Sequence, residues 1–239
     1  MKAIILAAGE SKRLMPYTKD RPKCLLEICG KSIINYQIES FRSCGIKDIV
    51  IVTGHGEGLL REKLGNDFHY IFNEKYKSTS SIYSLWLARE VLSGNSFFIL
   101  NSDVLFHPLI LKELLNFKEE NCITVDFKDG MGEEEMKVKV KDGKVIDMSK
   151  AMPPSEAQGE NVGLIKFGVD GGKILYSIMD RIISEGRVNE WAPYAFKEMT
   201  KVHPLHAVST GGLPWIEIDF PQDLEDAREK VYPKIAGGI

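Results

Sequence analysis

The sequence predicts an α/β protein with a doubly wound, mixed and mostly parallel sheet. Over the first 120 residues, apolar runs typical of buried strands alternate four times with segments typical of helices. Several of these runs are closed by glycine or a polar residue, as at the carboxyl ends of parallel strands. After Cys122 the pattern changes to a hairpin, a loop, a strand and further helices. We therefore expect one Rossmann-like domain over 1–239 with halves 1–120 and 121–239, the second carrying a small hairpin and helical subdomain.

Local spacing and punctuation give the elements of the first half. The apolar runs KAIILAA and DIVIVT are each followed by glycine, which is typical of buried parallel strands. Ile34, Ile38 and Phe41 lie at helical spacing before Gly45, a helix stop signal. By these criteria strands are predicted at 2–8, 48–53, 68–72 and 96–101, and helices at 32–41, 59–64, 80–92 and 108–120.

The second half begins with a hairpin. Apolar and polar residues alternate over 136–140 and 144–148 around Asp142-Gly143, a dipeptide typical of a tight turn. Pro221 favours the start of a terminal helix. A loop is predicted at 152–159, strands at 162–169 and 215–219, and helices at 174–185, 190–200 and 221–231.

Composition excludes several classes of protein. The chain has 239 residues, of which 44% are hydrophobic and 27% are charged, and its formal net charge is −3. This net charge is not that of a typical nucleic-acid-binding protein, and the composition is not that of a disordered chain. No apolar run reaches the roughly 18 residues of a membrane span, and the first is too short for a signal peptide. The cysteines are too few for a disulfide scaffold: Cys24, Cys29, Cys44 and Cys122. We expect a cytoplasmic protein with no membrane or nucleic-acid partner.

A basic, glycine-containing loop follows the first strand. It reads LAAGESKRL over 6–14, followed by Pro16 and then Arg21-Pro22-Lys23. Small residues let the backbone approach a ligand, and free N–H groups there hold phosphate oxygens. The first 31 residues carry seven basic and three acidic side chains, a local charge of 7 − 3 = +4 that favours an anionic ligand. Neither GxxxxGK[ST] nor GxGxxG is present, so a plain basic surface loop is the alternative interpretation.

Two aspartates follow late strands. Asp103 ends the run SFFILNSD and Asp219 ends WIEID. Two carboxylates near a phosphate-binding loop suit Mg²⁺, which takes oxygen ligands from one or two carboxylates and from substrate phosphates. The alternative is that each caps a following helix, which Pro108 and Pro221 would begin. Beside the basic loop, the metal interpretation is favoured.

The loop LAAG-x-S-x-RL-x-P followed by RPK resembles the signature of nucleotidyltransferases that activate sugar phosphates and phosphorylated small alcohols. Ser11 stands where that family usually has a second glycine. The resemblance extends from Met1 to about Val231 and is strongest with the bacterial choline-phosphate cytidylyltransferases and their inositol-phosphate and aminoalkylphosphonate relatives. Asn-x-x-Tyr at 73–76 and the stretch SSIYSL at 80–85 carry that closer likeness, and the Q-x-x-P-x-G-T-A stretch of sugar-nucleotide enzymes is missing.

The resemblance implies a division of labour: the half 1–120 binds the nucleotide and the half 121–239 binds the acceptor and the metal. It implies in-line attack by an acceptor phosphate on the α-phosphorus of a nucleoside triphosphate, with Arg13 and Lys23 as the catalytic residues and Mg²⁺ on Asp103 and Asp219. The implied nucleotide-binding residues are Leu6, Ala7, Ala8, Gly9, Glu10, Ser11, Lys12, Arg13, Gly54, Ser80 and Ser81.

The acceptor site is expected around an aromatic and acidic group. Aromatic faces with a carboxylate hold quaternary ammonium groups, so phosphocholine would suit such a site. The alternative is that the aromatic residues belong to the core or to a dimer contact, and the sequence leaves a homodimer open. The acceptor-binding residues expected are Glu190, Trp191, Tyr194, Trp215 and Glu217.

Three functions remain in competition. The first is transfer of CMP from CTP to a small phosphorylated acceptor, which could be phosphocholine-like, an inositol phosphate or a phosphonate, with release of pyrophosphate. The second is a sugar-1-phosphate nucleotidyltransferase that uses UTP, dTTP or GTP. The third is a non-catalytic nucleotide-binding regulatory module, against which the retention of Arg13, Lys23, Asp103 and Asp219 together argues.

Overall fold

The computed structural model describes residues 1–237 and confirms an α/β fold with a mixed central sheet. Its strands are β1 (Lys2–Ala7), β2 (Glu27–Ile28), β3 (Lys31–Ser32), β4 (Ile49–Thr53), β5 (His69–Phe72), β6 (Phe97–Asn101), β7 (Val104–Phe106), β8 (Cys122–Phe127), β9 (Lys137–Lys141), β10 (Lys144–Ser149), β11 (Gly159–Phe167), β12 (His206–Ser209) and β13 (Trp215–Glu217). Its α-helices are α1 (Ile33–Ser43), α2 (Glu57–Leu64), α3 (Ser81–Leu87), α4 (Arg89–Leu92), α5 (Pro108–Asn116), α6 (Val169–Ser184), α7 (Ala192–Thr200), α8 (Pro221–Asp226) and α9 (Tyr232–Ala236).

Nine strands form the main sheet of the described chain in the order β5-β4-β1-β6-β11-β8-β12-β10-β9. The first four are mutually parallel, so their carboxyl ends meet at one edge. Strands β10 and β11 run antiparallel to their neighbours, and the other seven strands of this sheet run in one direction. That shared edge is where an open α/β sheet binds its ligands.

The strand β1 shows why helices cover both faces of the sheet. Its side chains alternate, so Ile4 and Leu6 enter one apolar cluster while Ile5 and Ala7 enter the other. The first cluster includes the inner faces of α3, α6 and α7, and the second includes those of α1 and α5. A strand buried on both faces must be apolar throughout, as the run KAIILA is.

A small two-stranded sheet beside the main one brings the late part of the chain to the site. Strand β13 pairs antiparallel with β7, so that Trp215 faces Phe106 and Glu217 faces Val104. A second short pairing joins β2 to β3. Across residues 1–237, none of the helices combines the length and apolar character that crossing a bilayer requires.

The central strand β8 was not predicted. The helix expected over 108–120 ends at Asn116, and Cys122–Phe127 then forms a strand between β11 and β12. Its partners lie far along the chain, so only nonlocal pairing reveals its place. The short β2–β3 hairpin and the β12 strand also lie outside the ranges expected for strands.

Several predicted boundaries are wrong. The helix expected over 80–92 breaks at Ala88 into α3 and α4. The strand expected over 162–169 runs from Gly159 to Phe167, and the next helix begins at Val169. The strand expected over 215–219 ends at Glu217, which leaves Asp219 in the loop that follows. The terminal helix continues past 231 and contains a π-helical segment, Ala227–Val231.

Candidate functional site

A cleft of about 400 Å³ opens at the carboxyl ends of β1 and β6. These strands lie side by side, with Leu6 paired to Asn101, and residues of the segments that follow both strands line the cleft. The other walls come from the segment between β5 and α3, the β6–β7 turn and the C-terminal half of the chain. The cleft therefore lies at the edge of the sheet where the sequence predicts the ligand.

Lys23 lies in this cleft with only 8% of its surface exposed. Its Nζ donates to Asp103 Oδ2 and to Asp219 Oδ1, each at 2.7 Å. The residue begins a 3₁₀ turn, Lys23–Leu25, after the extended Pro22. One buried ammonium group thus joins the two aspartates that the sequence singles out.

The pairing of β13 with β7 explains why the two aspartates converge. Asp103 lies in the tight turn before β7, and Asp219 follows β13. The backbone N–H of Ile218 donates to the carbonyl of Asp103 at 3.0 Å, which ties the two segments together. Two residues far apart in sequence are therefore held at one point by backbone hydrogen bonds.

Neither aspartate caps a helix. His107 is the N-cap of α5, and its Nδ1 accepts from the N–H of Leu109 at 3.2 Å. At the start of α8 the carboxylate of Asp223 accepts from the N–H groups of Asp219 and Phe220, at 2.9 and 2.7 Å. The alternative interpretation of both residues as caps is therefore wrong.

The electrostatics of this centre favour additional positive charge. Burial opposes the charge on Lys23, but Asp103 and Asp219 outweigh it and raise the lysine's pKa. Burial also opposes ionisation of Asp219, but Lys23 and Arg13 hold its pKa below the usual range. Burial, with Asp103 and Asp219 nearby, raises the pKa of Glu217 to about 8. A third negative charge is costly here unless a cation joins the group.

The three carboxylates fit a divalent cation. One oxygen from each of Asp103, Glu217 and Asp219 lies within 4.8 Å of the others. Asp103 Oδ1 is buried and has no hydrogen-bond partner among residues 1–237. Hard cations such as Mg²⁺ prefer oxygen ligands of this kind. Glu217, which the sequence assigns to the acceptor, lies in the carboxylate group.

Arg13 links the basic loop to the same centre. Its Nη2 donates to Asp219 Oδ2, its Nη1 donates to Glu134 Oε2 at 2.8 Å, and its guanidinium lies 4.7 Å from the ring centre of Phe220. Ser11 adopts a left-handed conformation (φ 50°), and its carbonyl accepts from Thr18 Oγ1 at 2.9 Å. Here Ser11 occupies a turn that suits glycine, and a threonine hydroxyl bonds to it.

Most of the predicted nucleotide-binding residues line the cleft, but three do not. A Cβ added at Gly9 would meet no atom within 4 Å, so this backbone borders open space. Gly54 is a packing position instead, because a Cβ there would collide with the carbonyl of Ala8 and with Tyr76. Lys12 pairs with Glu10 at 3.0 Å, and neither lines the cleft. The predicted residues that line it are Leu6, Ala7, Ala8, Gly9, Ser11, Arg13, Ser80 and Ser81.

The five residues predicted to bind the acceptor do not lie together in the structure. Trp191 lines the cleft. Glu190 and Tyr194 do not line the cleft and are bonded to Arg187 instead. Arg187 donates to Glu190 Oε1 at 2.7 Å and to the hydroxyl of Tyr194 at 2.6 Å. Trp215 lines a neighbouring acidic cleft of about 360 Å³. Of the predicted acceptor residues, only Trp191 and Glu217 therefore meet in the main cleft.

Buried polar residues close the end of the cleft near α3. Asn73 Nδ2 donates to Thr79 Oγ1 and to Ser84 Oγ, each at 3.1 Å. Ser81 Oγ accepts from the N–H of Ala192 at 2.9 Å, so its hydroxyl is bonded to the segment that carries Trp191. Thr79 and Ser84 were not predicted as site residues, although Ser84 belongs to the stretch that carries the family likeness and Thr79 directly precedes it.

Lys150 lines the cleft and was not predicted. It follows β10, and its Nζ lies 4.9 Å from the ring centre of Trp191 and 3.5 Å from Glu134 Oε2. Arg13 contacts the same Glu134 oxygen, so Lys150 adds a second cation beside the loop after β1. The buried Lys137 donates to the carbonyl of Lys150 at 2.7 Å and so supports this segment. A cation two residues after the strand predicted at 144–148 is the sequence signal that could have identified it.

The comparisons with known proteins agree with this geometry. A family model described as the MobA-like NTP transferase domain matches residues 3–215. The chain belongs to this family. The nucleotidyltransferase activity expected from the sequence is thereby confirmed, and enzymes of this kind typically use a divalent metal.

Named relatives give the likeness more detail. The chain is 32% identical to CTP:phosphoglutamine cytidylyltransferase from Campylobacter jejuni, over 96% of this chain and 100% of that protein. Choline-phosphate cytidylyltransferase from Streptococcus pneumoniae is 41% identical over 48% of this chain and 50% of its own length. The solved structure of CTP:phosphocholine cytidylyltransferase from Streptococcus pneumoniae superposes with a TM-score of 0.79 at 26% identity, covering 95% of this chain and 97% of that one.

Proposed function

We propose that this nucleotidyltransferase transfers CMP from CTP to a small phosphorylated acceptor in the presence of Mg²⁺ and releases pyrophosphate. The observation that carries the proposal is the bridge of Lys23 between Asp103 and Asp219, in the same cleft as the basic loop after β1. This arrangement puts positive charge and metal-ligating carboxylates where a triphosphate would lie against the loop. A purely regulatory nucleotide-binding module has no need of such a centre.

In the proposed reaction an oxygen of the acceptor phosphate attacks the α-phosphorus of CTP. The new P–O bond forms as the bond from the α-phosphorus to the bridging oxygen breaks, and pyrophosphate leaves. Because no covalent intermediate with the enzyme is needed, the protein contributes position and charge. Asp103, Asp219 and Glu217 would hold Mg²⁺, which when bound draws negative charge from the phosphate oxygens.

We assign the negative charge of the substrate phosphates to three cationic side chains of the protein. Lys23, buried between the aspartates, stabilises negative charge that develops at the α-phosphoryl group. Arg13 exchanges its contact with Glu134 for the β- and γ-phosphates and the departing pyrophosphate. Lys150, beside Trp191, binds the acceptor phosphate. Three cations on three segments thus match three groups of phosphate oxygens.

The acceptor class is inferred from relatives and from one aromatic residue. The two relatives named above act, by their names, on phosphoglutamine and choline phosphate, and both acceptors carry a nitrogen cation beyond the phosphate. Trp191 presents an aromatic face in the cleft with 52% of its surface exposed, and such faces bind cations. We therefore propose a small phosphorylated acceptor that carries an amine or quaternary ammonium group.

The test is pyrophosphate release with Mg²⁺, crossing CTP, UTP, dTTP, ATP and GTP with a panel of acceptors. The panel includes phosphocholine, phosphoethanolamine, aminoethylphosphonate, inositol 1-phosphate and several sugar 1-phosphates. Release with CTP and a nitrogen-bearing acceptor supports the proposal. Release with UTP or dTTP and a sugar phosphate replaces it with the sugar-nucleotide function. Asp103→Asn, which keeps the side chain's size, is the inactive control.

A further inference from the structure

One buried amide lies behind the carboxylate centre. Gln37 is 1% exposed and belongs to α1, on the face that otherwise packs Ile34, Ile38 and Phe41 against the sheet. An amide on this face needs hydrogen-bond partners, since burying polar groups without them is unfavourable. Nothing in the nucleotide or acceptor contacts described above uses this residue.

The amide spans the turn that carries Asp103. Gln37 Nε2 donates to the carbonyl of Asn101 at 2.9 Å and to the carbonyl of Val104 at 2.8 Å. Asn101 is the last residue of β6 and Val104 is the first of β7, so Ser102 and Asp103 lie between the two bonds. Both amide hydrogens of one side chain thus fix the two ends of a two-residue turn.

We propose that Gln37 is a positioning residue that orients Asp103 for the divalent cation; this inference rests on the metal site of the proposed function. Asp103 is held from three directions: by Gln37 through the flanking carbonyls, by the N–H of Ile218, and by Lys23 at one carboxylate oxygen. The other oxygen, Oδ1, has no partner within residues 1–237 and remains for the metal. Gln37 therefore acts on the metal through Asp103 and does not touch it.

A packing role alone does not account for this residue. Gln37 Oε1 is buried without a hydrogen-bond partner among the described residues, so the amide carries an unsatisfied acceptor that a leucine or methionine would lack. What the amide supplies and an apolar side chain cannot is a pair of donors at the β6–β7 turn. Residues that orient metal ligands in this way typically change metal affinity about 10- to 100-fold when they are replaced.

The experiment compares Gln37→Met with the wild type. Methionine fills a similar volume without donors. Mn²⁺ alone is titrated into folded protein, free Mn²⁺ is measured by electron paramagnetic resonance, and unfolding is followed in denaturant. We expect Mn²⁺ affinity to fall by about tenfold, CTP binding in EDTA to stay within about twofold, and excess Mg²⁺ to restore pyrophosphate release. Ser40→Ala, which removes a bond to Tyr36 within the same helix, is the matched control and leaves Mn²⁺ affinity unchanged.

A folded Gln37→Met protein with the wild-type Mn²⁺ affinity overturns the inference. If Gln37→Met does not fold, Gln37→Asn replaces it in the experiment. Asparagine keeps the amide but is one methylene too short to reach both carbonyls, so the same loss of Mn²⁺ affinity is expected. Asp103→Asn separates the two proposals. If Asp103→Asn loses Mn²⁺ binding while Gln37→Met keeps the wild-type Mn²⁺ affinity, the role of Gln37 is wrong but the proposed function stands. If both variants bind Mn²⁺ with the wild-type affinity, the metal site itself is wrong.

Discussion

Lys23 lies buried between two carboxylates at 2.7 Å, whereas Trp191, on the proposed acceptor side of the same cleft, is 52% exposed. The carboxylate centre is held by strand pairing between β7 and β13 and by buried hydrogen bonds behind it. The proposed acceptor end lies near the end of the β9–β10 hairpin and the start of α7, where Lys150 and Glu134 make longer or exposed contacts.

This contrast suggests how one fold accepts different acceptors. Reacting groups must be held closely to stabilise a transition state, and rigid elements do this better than loops. Recognition of the acceptor can vary if it rests on exposed side chains that change without disturbing the core. Substitutions at each end of the cleft test whether catalysis and acceptor recognition separate in this way.

Replacing Lys23 should have the largest effect. In Lys23→Met the carboxylates of Asp103 and Asp219 lose their shared cation, and we predict that turnover falls by on the order of 100- to 1,000-fold. Breaking a buried ion pair should also lower the free energy of unfolding by about 3 kcal/mol. Pyrophosphate release and denaturant unfolding measure the two effects. Lys31→Met removes an exposed pair with Glu39 and is the control.

The metal should separate these two effects. Excess Mg²⁺ can neutralise the carboxylates of the Lys23→Met protein, so we expect it to recover part of the stability but not the turnover. If turnover recovers in full, Lys23 serves only to balance charge in the centre. If the turnover of Lys23→Met is normal at the Mg²⁺ concentration used for the wild type, the catalytic role of Lys23 is wrong.

Replacing Trp191 should affect acceptor binding alone. We predict that Trp191→Ala raises the acceptor KM by about 3- to 30-fold, the range expected for a cation–π contact, and leaves the CTP KM unchanged. Trp215→Ala is the matched control, because Trp215 lies outside the main cleft. Steady-state kinetics in both substrates decide the matter. Equal effects of the two variants on the acceptor KM would instead extend the acceptor site into the neighbouring acidic cleft.

The sequence predicts Asp103, Asp219 and Lys23 for the carboxylate centre because their signals are local, but it assigns Glu217 to the acceptor. Asp103 follows an apolar run that could only be a buried strand, and Lys23 follows a recognisable loop. At the shared edge of a parallel sheet such strand ends converge whatever the loops do. Position at a strand end was therefore enough to place Asp103 at the cleft, whereas the loop motif was needed to place Lys23 there.

The acceptor end could not be predicted in the same way, because side-chain direction there depends on distant partners. Glu190 and Tyr194 lie beside Trp191 in sequence, but their bonds to Arg187 turn them out of the cleft. The strand β8 pairs only with distant segments, and the helix expected before it ends four residues earlier than its spacing suggests. Local periodicity contains none of this information.

Ser81 offers a smaller test of the link between the two ends. Its hydroxyl accepts from the N–H of Ala192, next to Trp191, so Ser81→Ala should loosen this segment. We predict an acceptor KM raised by about 2- to 10-fold, in line with the net value of one hydrogen bond, and a smaller change in the CTP KM. Ser78→Ala is the control, because Ser78 is not among the residues that line the cleft and its hydroxyl donates to the carbonyl of Lys75. A change in the CTP KM alone would indicate that Ser81 contacts the nucleotide, as the resemblance implies.

Glu134 should give the smallest effect and the opposite sign. This exposed carboxylate contacts Arg13 at 2.8 Å and Lys150 at 3.5 Å, so it competes with substrate phosphates for both cations. We predict that Glu134→Gln lowers the CTP KM by about twofold, since exposed ion pairs are weak. The difference from wild type should shrink in high salt, because salt screens exposed charges. Glu133→Gln, its neighbour, is the control. A raised KM in Glu134→Gln would show that Glu134 helps to place Arg13 for the triphosphate, and the exposed rim of the cleft would then contribute to the reaction as well as to recognition.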